Sequence, residues 1–403
     1  MTKRQTGRMG AAALAALMGT TGLARAEVTV GVLVPLTGEL GAFGEIVAGG
    51  VELGVEQVNA SGGITGCGPI RTVVADTGDD LNTGVREATR MIESEGAVAI
   101  LGPTSGVMVA LVDLAKRNEV VAMSPYAGTI TLNELGGDFV CRTVSSDLGA
   151  GAASGLWLSE KGYESVAFLV QNAGSTISPA QVAQDYVNEA GIELTDFIIY
   201  NPGQPSYQVE RVSVLARDPD AIYPAGGQES GVTVIKEATA GGFTGEWLLT
   251  ADLAVPEIFA AVGAELINDR AHVELADPDK SLPAYQDVAA LHAEKHDGEE
   301  PGPFAANSFD MVMLMALALE QAGDCTGVAI NDTIRSVAEG GEPVTTFAAG
   351  KEAIAAGGDV DDEGAAGPMT FYESGTVAGS YAIKAARDGA WVDEKFIPAS
   401  ALE

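Results

Sequence analysis

"AVAILGPTSGVMVALVDLAKR", Ala97 to Arg117, holds two different patterns within one short stretch. The run Ala97–Leu101 is apolar without alternation, as expected of a strand covered on both faces. Beyond the turn Gly102-Pro103-Thr104-Ser105-Gly106, apolar residues recur at helical spacing through Val107, Met108, Leu111 and Val112. A strand, a turn of small residues and then a helix make half of a βαβ unit. Three readings of Ser105 are open at this point: a nucleophile, a phosphate cradle, or a contact for a ligand that leaves unchanged.

The same unit repeats on both sides. "VTVGVLVPL" from Val28, "IRTVVAD" from Ile70, "VVAMSP" and "DFVCRTV" (Asp138–Val144) read as further strands, with helices between them. After Ser145-Ser146-Asp147 the order restarts. Strands are read at "SVAFLVQ", "IELTDFIIY", "DAIYPAG" and "EWLLTAD", with helices interleaved. Continuous apolar strands between helices predict an α/β fold with two doubly wound parallel sheets. Later helices fall at "PAYQDVAALHAEKH", "PFAANSFDMVMLMALALEQAG", "VAINDTIRSVAE" and "TFAAGKEAIAAGG". The tail "PMTFYESGTVAGSYAIKAARDGAWV" reads as an antiparallel hairpin turning at Glu373-Ser374-Gly375. Helices so far downstream imply that the chain returns to its first half, leaving two lobes and a cleft between them. The expected division is 27–145 with about 274–367, against 146–273 with about 368–403.

The first 26 residues stand apart. Lys3, Arg4 and Arg8 precede a short apolar run, and Ala24-Arg25-Ala26 offers an A-x-A cleavage site, so a secretory signal and a periplasmic product are expected. The run is too short and too interrupted for a membrane anchor. Formal net charge is −34, or −38 once the four basic residues of the signal are removed. Such a surface argues against nucleic acid and anionic membranes as partners. The three cysteines, Cys67, Cys141 and Cys325, allow one disulfide and leave one thiol, and spacing alone does not choose the pair.

Enzyme signatures are largely missing. No nucleophile elbow, P-loop or H-E-x-x-H occurs, and "TGELGAFGE" (Thr37–Glu45) lacks the G-x-G-x-x-G spacing. His292 and His296 lie four apart but among surface charges, so a solvated helix face is expected rather than a metal site. "DVDDEG" (Asp359–Gly364) begins like a calcium loop, yet Thr370 stands where a bidentate Glu is needed, and an acidic turn is expected. The histidines are His272, His292 and His296, none near Ser105 in sequence, so a serine hydrolase is disfavoured. No catalytic residue, metal or cofactor is assigned. What remains are turns at strand ends, where open α/β sheets bind ligands. Free N–H groups at Thr104-Ser105 and in "SPYAGT" (Ser124–Thr129) suit a carboxylate, while ordinary helix capping explains them equally well.

Read together and in order, "VGVLVPLTGELGAFG", "ELGVEQVNASGGITG", "ILGPTSG", "VVAMSP", "CRTVSSD", "DAIYPAG" and "AAGPMTFYESGTVAGSY" resemble type I periplasmic solute-binding proteins. The likeness is to the branched-chain amino acid receptors of ABC importers, and it covers nearly the whole mature chain. It implies a monomeric two-lobed protein that closes on a small amino acid, branched-chain or aliphatic, and hands it to permease subunits. It also implies carboxylate contacts from Thr104, Ser105, Ala127 and Thr129, an acid for the ammonium at Asp252, and a covering aromatic at Tyr223 or the turn Gly226-Gly227-Gln228. Two departures stand out. The family turn S-P-x-A-T reads Ser124-Pro125-Tyr126-Ala127-Gly128-Thr129 here, and the family's Tyr-Gly pair after "SVAFLVQ" is replaced by "NAGSTIS". An amide, urea or small carboxylate as ligand, and a sensor subunit docking onto a receptor, are the alternatives. Phe304 either lines the pocket or belongs to the core.

Overall fold

In the computed structural model, residues 1–2 and 27–402 are described, so the expected signal falls largely outside the described residues. Two sheets carry the chain. The first has five parallel strands: β1 (Val28–Val34), β2 (Ile70–Asp76), β3 (Ala99–Leu101), β4 (Val121–Ser124) and β5 (Val140–Arg142), in the order β2-β1-β3-β4-β5. All seven residues of β1 are buried, which is what an unalternating apolar run requires of a sheet covered on both faces.

The second sheet takes in β6 (Ser165–Gln171), β7 (Glu193–Tyr200), β8 (Ala221–Ala225), β9 (Glu246–Leu249) and β10 (Ala271–Ala276), all parallel. A short parallel ladder, β11 (Glu342–Val344) with β12 (Val360–Asp362), lies apart. The chain then completes the second sheet with antiparallel β13 (Tyr381–Arg387) and β14 (Ala390–Ile397), giving β14-β13-β10-β9-β8-β6-β7.

Two local readings change. Only a single bridge, Phe371 to Val377, flanks the Glu373-Ser374-Gly375 turn. The true hairpin is β13–β14, turning at Asp388-Gly389 with φ of 50° and 78°. An Asp-Gly pair accepts two positive φ angles at little cost, which places the tight turn there and not at Glu373-Ser374-Gly375. The expected acidic turn at Asp359–Gly364 contains β12, with Asp362 buried in it and the Asp361 carboxylate accepting from the Gly340 N–H.

The helix Ala305–Ala322 explains the return of the chain. It packs along the helix Gly41–Ala60, where Gly50 and Gly54 allow close approach: a Cβ on Gly50 would stand 2.6 Å from the Ala305 carbonyl oxygen. Its flanking acids, Asp310 and Glu320, accept backbone N–H groups from Ala365, Ala366 and Thr65, so both are satisfied inside the core. Among the described residues no single helix is long and apolar enough to cross a membrane. Cys67 and Cys325 form a disulfide that ties the two helices' following loops together, and Cys141 is the free, buried thiol.

Candidate functional site

The carboxyl ends of β1, β3 and β4 face those of β6, β8 and β9. Contacts bridge the two sets directly. Glu39, in the turn after β1, accepts from the Ser230 hydroxyl at 2.6 Å and from the Ser230 N–H at 3.1 Å, in the first turn of the helix Gln228–Ala240. The Ser178 hydroxyl accepts from the Ile130 N–H at 3.1 Å. Between the bridges lies a small, partly open cavity of about 60 Å³.

The turn after β3 is held tightly. Gly102 has φ of 87°, and a Cβ there would stand 2.7 Å from Val34, so the backbone geometry demands glycine. The Thr104 hydroxyl donates to Asp79 at 2.9 Å rather than capping the helix Ser105–Asn118. The Ser105 hydroxyl is buried with no hydrogen-bond partner. In the next turn the Ser124 hydroxyl donates to the Pro103 carbonyl and accepts from the N–H groups of Tyr126 and Ala127. The buried Arg142 guanidinium donates to the carbonyls of Ala127, Gly128 and Thr129, bracing this turn from behind. Thr104, Ser105, Ala127 and Thr129 are thus brought together as neighbours, but all four are buried and none lines the cavity. Tyr126 lies between: its hydroxyl donates to the Gly102 carbonyl at 2.9 Å, and its ring forms part of the cavity wall. Tyr223 is also away from the cavity, stacked on Phe168 in the second core.

Asp252 does line the cavity, in a single helical turn just past β9. Burial pushes its carboxyl up to about 7, reinforced by the negative charges of Asp79 and Glu39. It makes no hydrogen bond or ion pair with any described residue.

Two further carboxylates line the same cavity and escaped the sequence reading. Asp147 opens the helix Asp147–Lys161; burial raises it to about 7 although Ser178 and Arg142 pull the other way, and one of its oxygens has no partner. Glu274 sits in β10, and burial raises it well above the usual carboxylate range, with Asp147 and Asp252 adding to the shift. The "AHVELA" alternation held its signal, since Glu274 falls on the same face as cavity-lining Ala276. Gly128 makes room for Asp147: a Cβ on Gly128 would lie 2.0 Å from an Asp147 carboxylate oxygen. The same cavity is lined by three rings, Phe43, Tyr126 and Phe304, with centroids 5.3 to 6.2 Å apart. Phe304 adopts φ of 61°, which costs a bulky residue about 1 kcal/mol or more. His292 and His296 stack on one another far from this wall, on a mostly exposed helix end.

The sequence profile described as "Periplasmic binding protein" matches residues 27–375. A Leu/Ile/Val-binding protein homolog 3 of Brucella melitensis is 25% identical over 340 residues, covering 84% of this chain and 90% of the relative. The Leu/Ile/Val-binding protein BraC3 of Rhizobium johnstonii is 23% identical over 359 residues, covering 87% and 94%. Among solved structures, a leucine-binding protein LivK from Thermotoga maritima superimposes with a TM-score of 0.79 at 22% identity, covering 92% of this chain and 99% of that one. A solute-binding protein from Rhodopseudomonas palustris in complex with benzoate gives 0.76 at 18% identity, covering 92% and 97%. These structural likenesses fix the fold.

Proposed function

The chain belongs to the periplasmic binding protein family, and from that premise we propose that it is the exported solute-capturing subunit of an ABC importer. Two lobes, 27–145 with about 274–367 and 146–273 with about 368–403, close on a small solute and present it to a membrane permease. The observation that carries the reading is Asp252, a half-buried, unpaired carboxylate that lines the cavity between the two sheets. An ammonium entering the cavity meets Asp252 fully only when the lobes are together. Binding therefore favours the closed form through contacts that the open form lacks.

Relatives named for leucine, isoleucine and valine make an aliphatic amino acid the first class to test. A lone carboxylate such as benzoate is a poorer fit, since it would enter beside acidic groups. Nothing in this role breaks a bond, in keeping with relatives that are named as binding proteins. The test is a thermal-shift and calorimetric screen of amino acids and amines on refolded, ligand-free protein. Asp252→Ala should weaken binding of any responding amine about 10- to 100-fold while moving the melting temperature little. Unchanged affinity in that variant would remove Asp252 from the site.

A further inference from the structure

The cavity carries more carboxyl groups than one ammonium needs. Asp252, Asp147 and Glu274 all face it, and Glu274 is only 2% exposed. Glu274 has no hydrogen bond or ion pair to a described residue, and Asp147 leaves a buried oxygen unpartnered. Among the described residues lining the cavity there is no lysine, arginine or histidine. Arg142 is the nearest cation to Asp147, and both of its terminal nitrogens are committed to the Ala127–Thr129 carbonyls and Asn133.

A carboxylate on the solute would meet hydroxyls of Ser145, Ser175 and Thr250 but no cationic side chain. The hydroxyl and amide turn that suits an anion, Thr104-Ser105, is closed off behind Tyr126, and the N–H groups of Tyr126 and Ala127 are already taken by Ser124. Three aromatic rings also line the cavity, and aromatic rings can attract a cation. Uncompensated carboxylates in such a volume are costly unless a cation joins them.

We propose that the solute is a small organic cation, an amine, amidine or guanidine without a carboxylate, seated between the Asp147–Glu274–Asp252 triad and the Phe43–Tyr126–Phe304 wall. The inference rests on the cleft-binding role above and replaces the aliphatic amino acid with a solute that keeps the cationic group and lacks the carboxylate. Gly128 is then part of the specificity, because it admits Asp147 to the cavity wall.

The probes are putrescine and agmatine, which lack a carboxylate, and leucine and arginine, which have one. Each is titrated calorimetrically into refolded full-length mature protein, and each is scored by thermal shift. Putrescine or agmatine should bind at least about tenfold more tightly than leucine or arginine. Glu274→Gln should weaken the amine about tenfold or more while raising the melting temperature of the ligand-free protein, because it removes the cost of keeping a buried carboxyl without a partner. Opposite signs in those two readouts separate a binding role from a structural one. Tighter binding of leucine or arginine than of both amines would overturn the inference, and if Asp252→Ala abolished that binding the cleft role would stand. Amine binding that survives both Glu274→Gln and Asp252→Ala would place the amine elsewhere and overturn it. No response to any of the four probes would overturn it as well.

Discussion

Replacing Glu39 with alanine should loosen the closed cleft more than it loosens either lobe. The Glu39 carboxylate reaches from the turn after β1 to the first turn of the helix Gln228–Ala240, accepting both the Ser230 hydroxyl and the Ser230 N–H. The Gln228 N–H also donates to the Glu39 carbonyl, a contact that the substitution leaves in place. Hydrogen bonds to a charged acceptor contribute about 1.5–3 kcal/mol each when buried. Glu39 is only half-buried and the two bonds share one partner residue, so about 1.5–2 kcal/mol for the pair is reasonable, close to a strong helix cap. That amount lowers the closed-to-open ratio about 10- to 30-fold, and ligand affinity falls with it when only the closed form holds the ligand. A second effect runs the other way: Glu39 helps hold the Asp252 carboxyl up near 7, so its removal eases ionisation of Asp252. Measuring at pH 8 keeps Asp252 largely ionised in both proteins and isolates the clasp. Small-angle scattering should show the variant more open without ligand, and calorimetry should show the affinity loss. Gly227→Ala is a second route to the same end, since its Cβ would lie 2.7 Å from Glu39 while its φ of −67° suits alanine. Unchanged scattering and unchanged affinity in both variants would refute the clasp.

Stability should depend on pH in a defined direction. Asp147, Asp252 and Asp310 are raised to about 7 in the folded protein, so the native state holds their protons more tightly than the unfolded chain does. Their stabilising contribution is full below about pH 4 and is lost as pH rises through about 7, so the ligand-free melting temperature should fall from pH 5 to pH 8; a rise across that window would contradict the assignment. A cationic ligand should bind more tightly over the same range and release protons, which calorimetry in buffers of different ionisation enthalpy measures. Reducing Cys67–Cys325 or replacing Cys325 with serine should cost about 2–4 kcal/mol of stability by urea titration, while the buried Cys141 thiol, pushed up to about 11, should react with a thiol reagent only on unfolding. Gly128→Ala should lower both stability and affinity because its Cβ meets Asp147, and adding Asp147→Ala should recover the stability alone in a double-mutant cycle.

The repeated βα order was legible because each buried strand is an unbroken apolar run and each helix keeps its period. Long-range choices were not: the Cys67–Cys325 pair depends on where Ala305–Ala322 docks, and nothing local to either cysteine records that. The site divided along the same line. Asp252 stands at a strand end, a place that topology marks for ligands, so it could be named from sequence. Ser105 and Thr104 stand at such an end too, yet Tyr126 from the next strand-end turn covers them, and a side chain's reach is not a property of its own motif.

Asp147 and Glu274 were hidden for another reason. An acid at the first position of a helix reads as a favourable end charge, and one polar residue in a strand reads as a solvent-facing position. Both readings are locally sound, and both are reversed by the second lobe, which buries these groups against each other. Burial without partners is what a fold selected for stability alone would remove, since neutral side chains of similar volume would fit there at lower cost. Gly128, which gives up a Cβ to admit Asp147, makes the same point from the backbone. The unpartnered carboxyls are the groups that the proposed cationic solute would pair with on entering the cleft.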